Sequence, residues 1–205
     1  MVRIAPFGIE GDLVLPDRAS GVVLFAHGSG SSRFSHRNRF VAEELNRAGF
    51  GTLLLDLLTP DEDHFVENRF DIPMLAERLS GATHWLGSHP ATAMLPGGYF
   101  GASTGAAAAL VAAARAHRIF AVVSRGGRPD LAGDALSSVH CPVLLIVGSE
   151  DYEVLRLNRT AQHQMDTEVE LAIVPGATHL FEEPGTLEEV SRLAKNWFAR
   201  HLCAK

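Results

Sequence analysis

The chain has few cysteines and no excess of positive charge, and each shortage excludes a class of protein. Of its 205 residues only Cys141 and Cys203 are cysteine, too few for a disulfide framework. Both are expected to be unpaired structural thiols in a reducing compartment. The net charge of −6 leaves no basic stripe to follow nucleic-acid phosphates, so no nucleic-acid partner is expected.

Long apolar runs are also missing. None approaches the roughly 20 residues that cross a bilayer, and the N-terminal "MVRIAPFGIEGDL" lacks the apolar core of a signal peptide. We therefore expect a cytoplasmic protein with no membrane partner. The residues that are present, 46% hydrophobic and 20% charged, are typical of a globular protein, and the length predicts one domain over residues 1–205.

Short apolar runs alternate with helical patterns along the chain. Most runs are continuous, which is typical of parallel strands covered on both faces; they are 22–26, 51–56, 98–102, 120–124, 142–147 and 169–174. Helical spacing covers 35–48, 71–86 and a C-terminal segment that opens with a Thr186/Glu189 capping box. "GIEGDLVLP" near the start alternates, as an antiparallel edge strand would. The order predicts an α/β fold, a doubly wound and mostly parallel sheet with helices on both faces.

One polar segment interrupts this alternation. Residues 57–71, "LLTPDEDHFVENRFD", are rich in turn-forming and charged residues. They predict a long loop or a small excursion, with little or no lid above a ligand site at the C-terminal ends of the strands.

A single serine lies inside the glycine frame of "GYFGASTGAAAALVAAA". Residues 101–105 match G-x-S-x-G, with an apolar strand before and a helix-forming run after them, the setting of a nucleophile elbow. Ser103 would then be a nucleophile in a strained turn, and the glycines would avoid contact with neighbouring backbone. The alternative is a glycine-flanked serine that caps an alanine-rich helix.

A serine nucleophile needs a base, and the base needs an orienting acid. Asp151 follows the buried run "PVLLIVG", and His179 follows the last strand within "PGATHLF". The order Ser103, Asp151, His179 is that of a Ser-acid-His triad on an α/β fold. The alternatives are Glu150 as the acid, or Asp151 as a turn former and His179 as a structural histidine.

Acyl transfer also needs donors that face the developing negative charge. We predict the backbone N–H groups of Thr104 and Ser29, because Thr104 follows the nucleophile and Ser29 lies in the glycine-rich turn after an early strand. His27 would shape this loop. Neither G-x-G-x-x-G nor G-x-x-x-x-G-K-[ST] is satisfied there, since Arg33 stands at the third Rossmann position. Nucleotide binding is therefore not expected.

Two arginines follow the strand at 120–124, on the side where the site should lie. We hypothesise that Arg125 or Arg128 binds a carboxylate of the substrate through its guanidinium fork. The alternative is an exposed turn in which the arginine pairs with Asp130 or Asp134.

No metal and no cofactor are predicted. His64, His84 and His89 do not form a spacing such as H-E-x-x-H. The predicted triad supplies nucleophile and base, and backbone N–H groups supply the oxyanion donors.

With these motifs the chain resembles the α/β-hydrolase superfamily, and more narrowly the small, lid-poor dienelactone hydrolase-like proteins. The resemblance extends from "LFAHGSGSSR" through "GYFGASTGAAAAL" and "LLIVGSED" to "PGATHLF". It implies a central, mostly parallel sheet and a triad at positions 103, 151 and 179. Dienelactone hydrolases proper use a cysteine nucleophile, whereas this chain has serine, so the expected activity is that of a general esterase or thioesterase acting through an acyl-enzyme.

Two other interpretations fit the same motifs. One is a non-catalytic α/β-hydrolase-like domain that binds a small ligand or partner, since fold alone does not establish activity. The other is an engineered scaffold that keeps or modifies a native triad. Reactivity of the serine distinguishes catalytic from non-catalytic cases.

Overall fold

The computed structural model describes residues 1–116 and 118–202. Eight strands form one sheet in the order β1-β2-β4-β3-β5-β6-β7-β8. The strands are β1 (Val2–Ile4), β2 (Ile9–Val14), β3 (Val22–Ala26), β4 (Gly51–Leu55), β5 (Gly97–Ala102), β6 (Ile119–Arg125), β7 (Val143–Gly148) and β8 (Val169–Val174). Along the sheet from β4 through β3 and β5 to β8, all neighbouring strands are parallel, whereas the β1–β2 and β2–β4 pairs are antiparallel. The mostly parallel sheet expected from the continuous apolar runs is confirmed.

In the described part of the chain, six α-helices accompany the sheet: α1 (His36–Arg47), α2 (Pro60–Asp63), α3 (Ile72–Ser88), α4 (Thr104–Ala114), α5 (Tyr152–Gln162) and α6 (Thr186–Leu202). Short 3-10 segments span Val66–Phe70 and Pro129–Ser138. Apolar side chains of α1 and α6 pack on one face of the sheet, and those of α3 and α4 pack on the other. The fold is therefore doubly wound, as predicted.

Two local predictions need correction. The alternating N-terminal segment forms β2, which is antiparallel but lies inside the sheet, because β1 covers its outer side. The capping box of Thr186 and Glu189 is not formed: Thr186 Oγ1 donates to the Glu183 carbonyl at 2.7 Å, and the Glu189 carboxylate pairs with Arg192. A nearby carbonyl and an arginine one turn further along compete successfully for both groups.

Segment 57–71 is a small excursion rather than a long loop. It contains α2 and the first 3-10 segment, and α2 begins with a capping box between Thr59 and Glu62. Glu62 also pairs with Arg78 of α3 at 2.6 Å. Burial alone would raise the pKa of Glu62, but the Thr59 N–H and Arg78 lower it, so the carboxylate holds the excursion against α3.

The order of the strands determines where a site can form. From β3 the chain passes to β4 on one side, and later to β5 on the other. Such a reversal leaves a crevice beyond the C-terminal ends of the central strands. The loops after β3 and β5 meet there. Among the described residues, none of the helices is long and apolar enough to cross a membrane.

Candidate active site

Ser103 lies in the turn between β5 and α4, and its backbone is held in an unusual conformation. Its φ of 51° and ψ of −120° belong to a region that L-residues rarely adopt. Its N–H donates to the Arg125 carbonyl at 3.3 Å, and its carbonyl accepts from Ala106 and Arg128, each at 3.1 Å. The turn is therefore fixed by backbone contacts on both sides.

The two glycines of the motif are required by close approach of the backbone. A Cβ at Gly101 would lie 2.4 Å from Ala106 Cα, and one at Gly105 would lie 2.3 Å from the Ala26 carbonyl oxygen. The helix thus begins in contact with the end of β3. Ser103 makes no side-chain capping hydrogen bond to α4, so the alternative of a purely capping serine is not supported.

Asp151 and His179 form a hydrogen-bonded pair at the same edge of the sheet. His179 Nδ1 lies 2.6 Å from Asp151 Oδ2, and the aspartate is largely buried while the ring is partly exposed. In this contact Nδ1–H donates to the Asp151 carboxylate, so Nε2 is left without the ring proton and can accept one. Glu150 instead accepts hydrogen bonds from the Ser149 and Tyr152 hydroxyls, so Asp151 is the acid that orients the ring.

Backbone contacts join the loops that carry this pair. Ser149 N–H donates to the Val174 carbonyl at 2.9 Å, and Glu150 N–H donates to the Ala177 carbonyl at 3.0 Å. The Ser149 hydroxyl accepts from Gly176 N–H at 2.8 Å. The loop that carries Asp151 and the loop that carries His179 are therefore held together by hydrogen bonds.

The histidine loop also meets the turn after β6, which is bonded to Ser103. A Cβ at Gly126 would lie 3.1 Å from the His179 carbonyl oxygen and 3.5 Å from its Nδ1. Within the described residues there is no direct hydrogen bond between Ser103 Oγ and the ring. Such contacts often tighten only when substrate binds.

The loop after β3 lies against the nucleophile turn. A Cβ at Gly28 would lie 3.0 Å from Ser103 Cβ. Ser29 N–H donates to Thr104 Oγ1 at 2.9 Å, and Thr104 is only 5% exposed. As the first residue of α4, Thr104 has a backbone N–H without a partner inside the helix. Both predicted oxyanion donors therefore lie beside Ser103, but the N–H of Ser29 already has an acceptor.

His27 holds the loop after β3 through both nitrogens of its ring. Its Nδ1 contacts the Gly28 carbonyl at 2.9 Å, and its Nε2 accepts from Leu57 N–H at 3.1 Å. Burial lowers the pKa of the ring, in agreement with a neutral imidazole whose two nitrogens are both engaged.

Arg33 has a structural role that the sequence did not reveal. It pairs with Asp56 after β4 and with Glu10 and Asp12 on β2. These contacts fasten the loop after β3 to two other strands. Its three carboxylate partners come from distant parts of the chain, so no local pattern indicates them.

The two candidate substrate arginines lie in different environments. Arg128 forms a bidentate pair with Asp130, at 2.9 and 2.7 Å, as the alternative interpretation expected. Arg125 is 7% exposed, and its Nε and Nη1 have no partner among the described residues. Its Nη2 makes one long contact, 3.4 Å, with Asn38 Oδ1. Burial and the nearby Arg37 lower the pKa of Arg125 to about 10. Among the described residues no carboxylate pairs with this guanidinium.

A narrow cavity lies between the loop after β3, the start of α4 and the excursion. Its lining includes Gly28, Ser29 and Thr104 on one side, and Leu58, Asp63 and Arg69 on the other. The excursion therefore forms a wall of the site while contributing none of the triad residues.

The cysteines and potential metal ligands lie apart from this chemistry. Cys141 is a free thiol, and burial raises its pKa to about 11, so it is a poor nucleophile. Cys203 falls outside the described residues. Over residues 1–116 and 118–202, there is no cluster of three or more His, Cys, Asp or Glu side chains arranged to hold a metal ion.

A doubly wound sheet with a strained serine after a central strand, and an Asp–His pair after two later strands, defines the class of α/β-hydrolases. The chain matches no protein-family model. A dienelactone hydrolase from Anabaena variabilis is 54% identical, with a TM-score of 0.94 over 98% of this chain and 95% of that one. The chain therefore belongs to the dienelactone hydrolase-like group of the α/β-hydrolases.

More distant and partial relatives add to this comparison. Est1E from Butyrivibrio proteoclasticus shares the fold, with 18% identity and a TM-score of 0.83 over 100% of this chain and 99% of that one. Two Mycobacterium tuberculosis proteins, from strains CDC 1551 and H37Rv, are provisionally named phosphoribosyl transferases; each is 61% identical over 98% of this chain. The chain spans only 46% of their length.

Proposed function

We propose that the protein is a serine hydrolase that cleaves carboxylic esters or thioesters of small molecules through an acyl-enzyme. The observation that carries the proposal is the Asp151–His179 hydrogen bond of 2.6 Å, on loops that contact the turn after β6, to which the backbone of Ser103 is hydrogen-bonded. A buried carboxylate that fixes one tautomer of a partly exposed imidazole is the arrangement that a general base requires.

The reaction follows from these positions. His179 Nε2 removes the Ser103 proton as Oγ forms a bond to the acyl carbon, and the π electrons of the carbonyl pass to its oxygen. The Thr104 N–H lies beside this oxyanion. When the intermediate collapses, the protonated His179 gives its proton to the departing alcohol or thiol. Water then attacks the acyl-enzyme with His179 again as base, releasing the acid and restoring Ser103.

The name of the mycobacterial relatives does not assign a transferase reaction to this chain. More than half of each relative lies outside the matched region, and a phosphoribosyl transferase activity can belong to that part. The matched part contains Ser103, Asp151 and His179, so we assign hydrolysis to it.

The test is intact-mass spectrometry after incubation with a fluorophosphonate. We expect one adduct on the parent and none on Ser103→Ala, with both proteins folded by circular dichroism. The same variant should also lose the burst with an activated ester. A folded parent that takes up no adduct would overturn the proposal and favour a non-catalytic domain.

We further propose that Arg125, and not Arg128, binds a carboxylate of the substrate, because only Arg125 lacks a carboxylate partner among the described residues. Hydrogen bonds to charged groups contribute about 1.5–3 kcal/mol. Arg125→Gln should therefore lower kcat/KM by roughly 10- to 100-fold for an ester with a free carboxylate, and by much less for a neutral ester of equal length. Arg128→Gln is the matched control. Equal losses for both esters would refute this assignment.

Location and cofactor requirement complete the proposal. We propose a cytoplasmic enzyme, because the partly buried Cys141 is unpaired and free thiols persist in reducing compartments. The reaction as written needs no cofactor, since nucleophile, base and oxyanion donor are all groups of this chain.

A further inference from the structure

The hydroxyl of Thr104 occupies a position that the expected oxyanion site would need. Ser29 N–H points to Thr104 Oγ1 at 2.9 Å. An oxyanion bound directly to this N–H would lie along the same direction, where the Thr104 oxygen is. In this conformation the Ser29 N–H therefore cannot be a direct donor to substrate.

Moving the Thr104 side chain aside is unfavourable. Thr104 is 5% exposed and lies in the first turn of α4, where a β-branched side chain has few rotamers. Rotation would also break the hydrogen bond from Ser29 N–H to Thr104 Oγ1, and that contact would be lost. The packing therefore favours a fixed threonine hydroxyl.

A hydroxyl that accepts one hydrogen bond still has a proton to donate. Thr104 Oγ1 makes its hydrogen bond with Ser29 N–H and no other with a described residue. The same residue lines the cavity beside the nucleophile turn, together with Gly28 and Ser29. Its proton is therefore not committed to any described acceptor, in a residue that directly follows Ser103 and borders this cavity.

We propose that Thr104 supplies two oxyanion donors, its backbone N–H and its side-chain O–H, and that Ser29 N–H orients the hydroxyl. Donation from Ser29 to Thr104 polarises the O–H bond, and a chain of two hydrogen bonds strengthens its second member. No group has to move when charge develops, which is the advantage of a preorganised site. This inference rests on the proposed hydrolase function, and it replaces direct donation by Ser29 with donation through Thr104.

The test compares Thr104→Val, which keeps the shape and removes the hydroxyl, with Thr104→Ser, which keeps the hydroxyl. Loss of one oxyanion donor lowers kcat by about 10²–10³-fold in other serine hydrolases. We expect a loss of about 10²-fold in kcat for Thr104→Val with KM little changed, and most of kcat restored in Thr104→Ser. Affinity for a trifluoromethyl ketone, which forms an oxyanion on Ser103, should fall in parallel.

Each other outcome overturns the inference. A higher kcat in Thr104→Val would mean that the hydroxyl blocks Ser29, and an unchanged kcat would mean that it has no role. If Thr104→Val fails to fold, Thr104→Ala takes its place beside Thr104→Ser, and equal activity of these two refutes donation by the hydroxyl. Failure of the proposed function is distinguishable, because the parent itself would then form no fluorophosphonate adduct at Ser103.

Discussion

The serine half of the site, after β3 and β5, is held by close backbone packing, whereas the histidine half, after β7 and β8, is held by polar contacts. Around Ser103 the backbone segments pack so closely that a Cβ at Gly101 or Gly105 would overlap neighbouring backbone atoms. Around His179 the structure is held by the hydrogen bond to Asp151 and by hydrogen bonds between the two loops. The geometry of the serine half therefore depends on the small size of its residues, and the geometry of the histidine half depends on which polar side chains are present.

The largest expected effect follows from adding volume to the serine half. Gly105→Ala places a methyl group 2.3 Å from the Ala26 carbonyl oxygen, and neither backbone can move without disturbing β3 or α4. Overpacking of this kind costs about 1–3 kcal/mol or more. Urea unfolding should show a loss at the upper end of that range or no folded protein.

Gly87→Ala in α3 is the matched control, because a Cβ there would lie within 4 Å of no atom of the described residues. Alanine is the better helix former by about 1 kcal/mol, so this variant should be as stable as the parent or more so. If both variants were equally destabilised, close packing would not be what distinguishes the serine half.

Changing polarity without volume in the histidine half should affect catalysis rather than folding. Asp151→Asn removes the acceptor for His179 Nδ1–H, and the corresponding change in a serine protease lowers kcat by about 10⁴-fold. We expect a fall in kcat of about 10³–10⁴-fold in steady-state ester hydrolysis. Asp151 does not cap α5 with its side chain, so the melting temperature should change little.

Glu150→Gln serves as the control for the neighbouring carboxylate. The Glu150 carboxylate accepts hydrogen bonds from the Ser149 and Tyr152 hydroxyls and makes none with His179, so kcat should stay near the parent value. A large loss in Glu150→Gln with little loss in Asp151→Asn would reverse the assignment of the acid.

A smaller effect concerns the pH dependence of stability through His27. Burial lowers the pKa of this ring below 6.5 in the folded protein. Above pH 6.5 the ring is neutral in both states; below it, the unfolded chain binds a proton that the folded protein resists, and the free energy of unfolding falls. His27→Gln should remove part of the drop in melting temperature between pH 7.5 and 5.5. His84→Gln, on an exposed turn of α3, should leave the drop unchanged, and equal slopes in all three proteins would contradict the interpretation.

The smallest effect is expected at Arg128. Its pair with Asp130 is partly exposed, and such pairs contribute about 0–1 kcal/mol. Arg128→Ala should therefore change the free energy of unfolding by no more than about 1 kcal/mol, as measured in urea. A loss of several kcal/mol would show that the turn after β6 supports the nucleophile through this pair.

The sequence predicted the order of strands and helices because continuous apolar runs and helical spacing are local patterns. It also predicted that Ser103, Asp151 and His179 share one edge, since each follows a parallel strand. Contacts between loops that are distant along the chain could not be predicted from the sequence. The bond from Ser29 N–H to Thr104 Oγ1 depends on how closely β3 and α4 approach, and no spacing within the sequence encodes that distance.

Two further details were missed for different physical reasons, namely competition between polar groups and the short length of a helix. The Thr186 and Glu189 pattern fits a capping box, but each side chain has a better partner in the folded chain. The same motif in α2, formed by Thr59 and Glu62, lies in the segment expected to be a long loop or a small excursion, and the helix itself was not predicted. A four-residue helix leaves too short a periodic pattern to be recognised from sequence.

The excursion of residues 57–71 has a consequence for how a hydrolase of the proposed kind can diversify. It forms a wall of the cavity beside Ser29 and Thr104, contributes no member of the triad, and is fastened to α3 by the Glu62–Arg78 pair. Under the proposed function, insertions or exchanges in this segment would reshape one wall of that cavity and leave Ser103, Asp151 and His179 in place. Part of what the site accepts would then lie on a different piece of the chain from the reacting residues, so selection, or a protein engineer, could vary the one and keep the other.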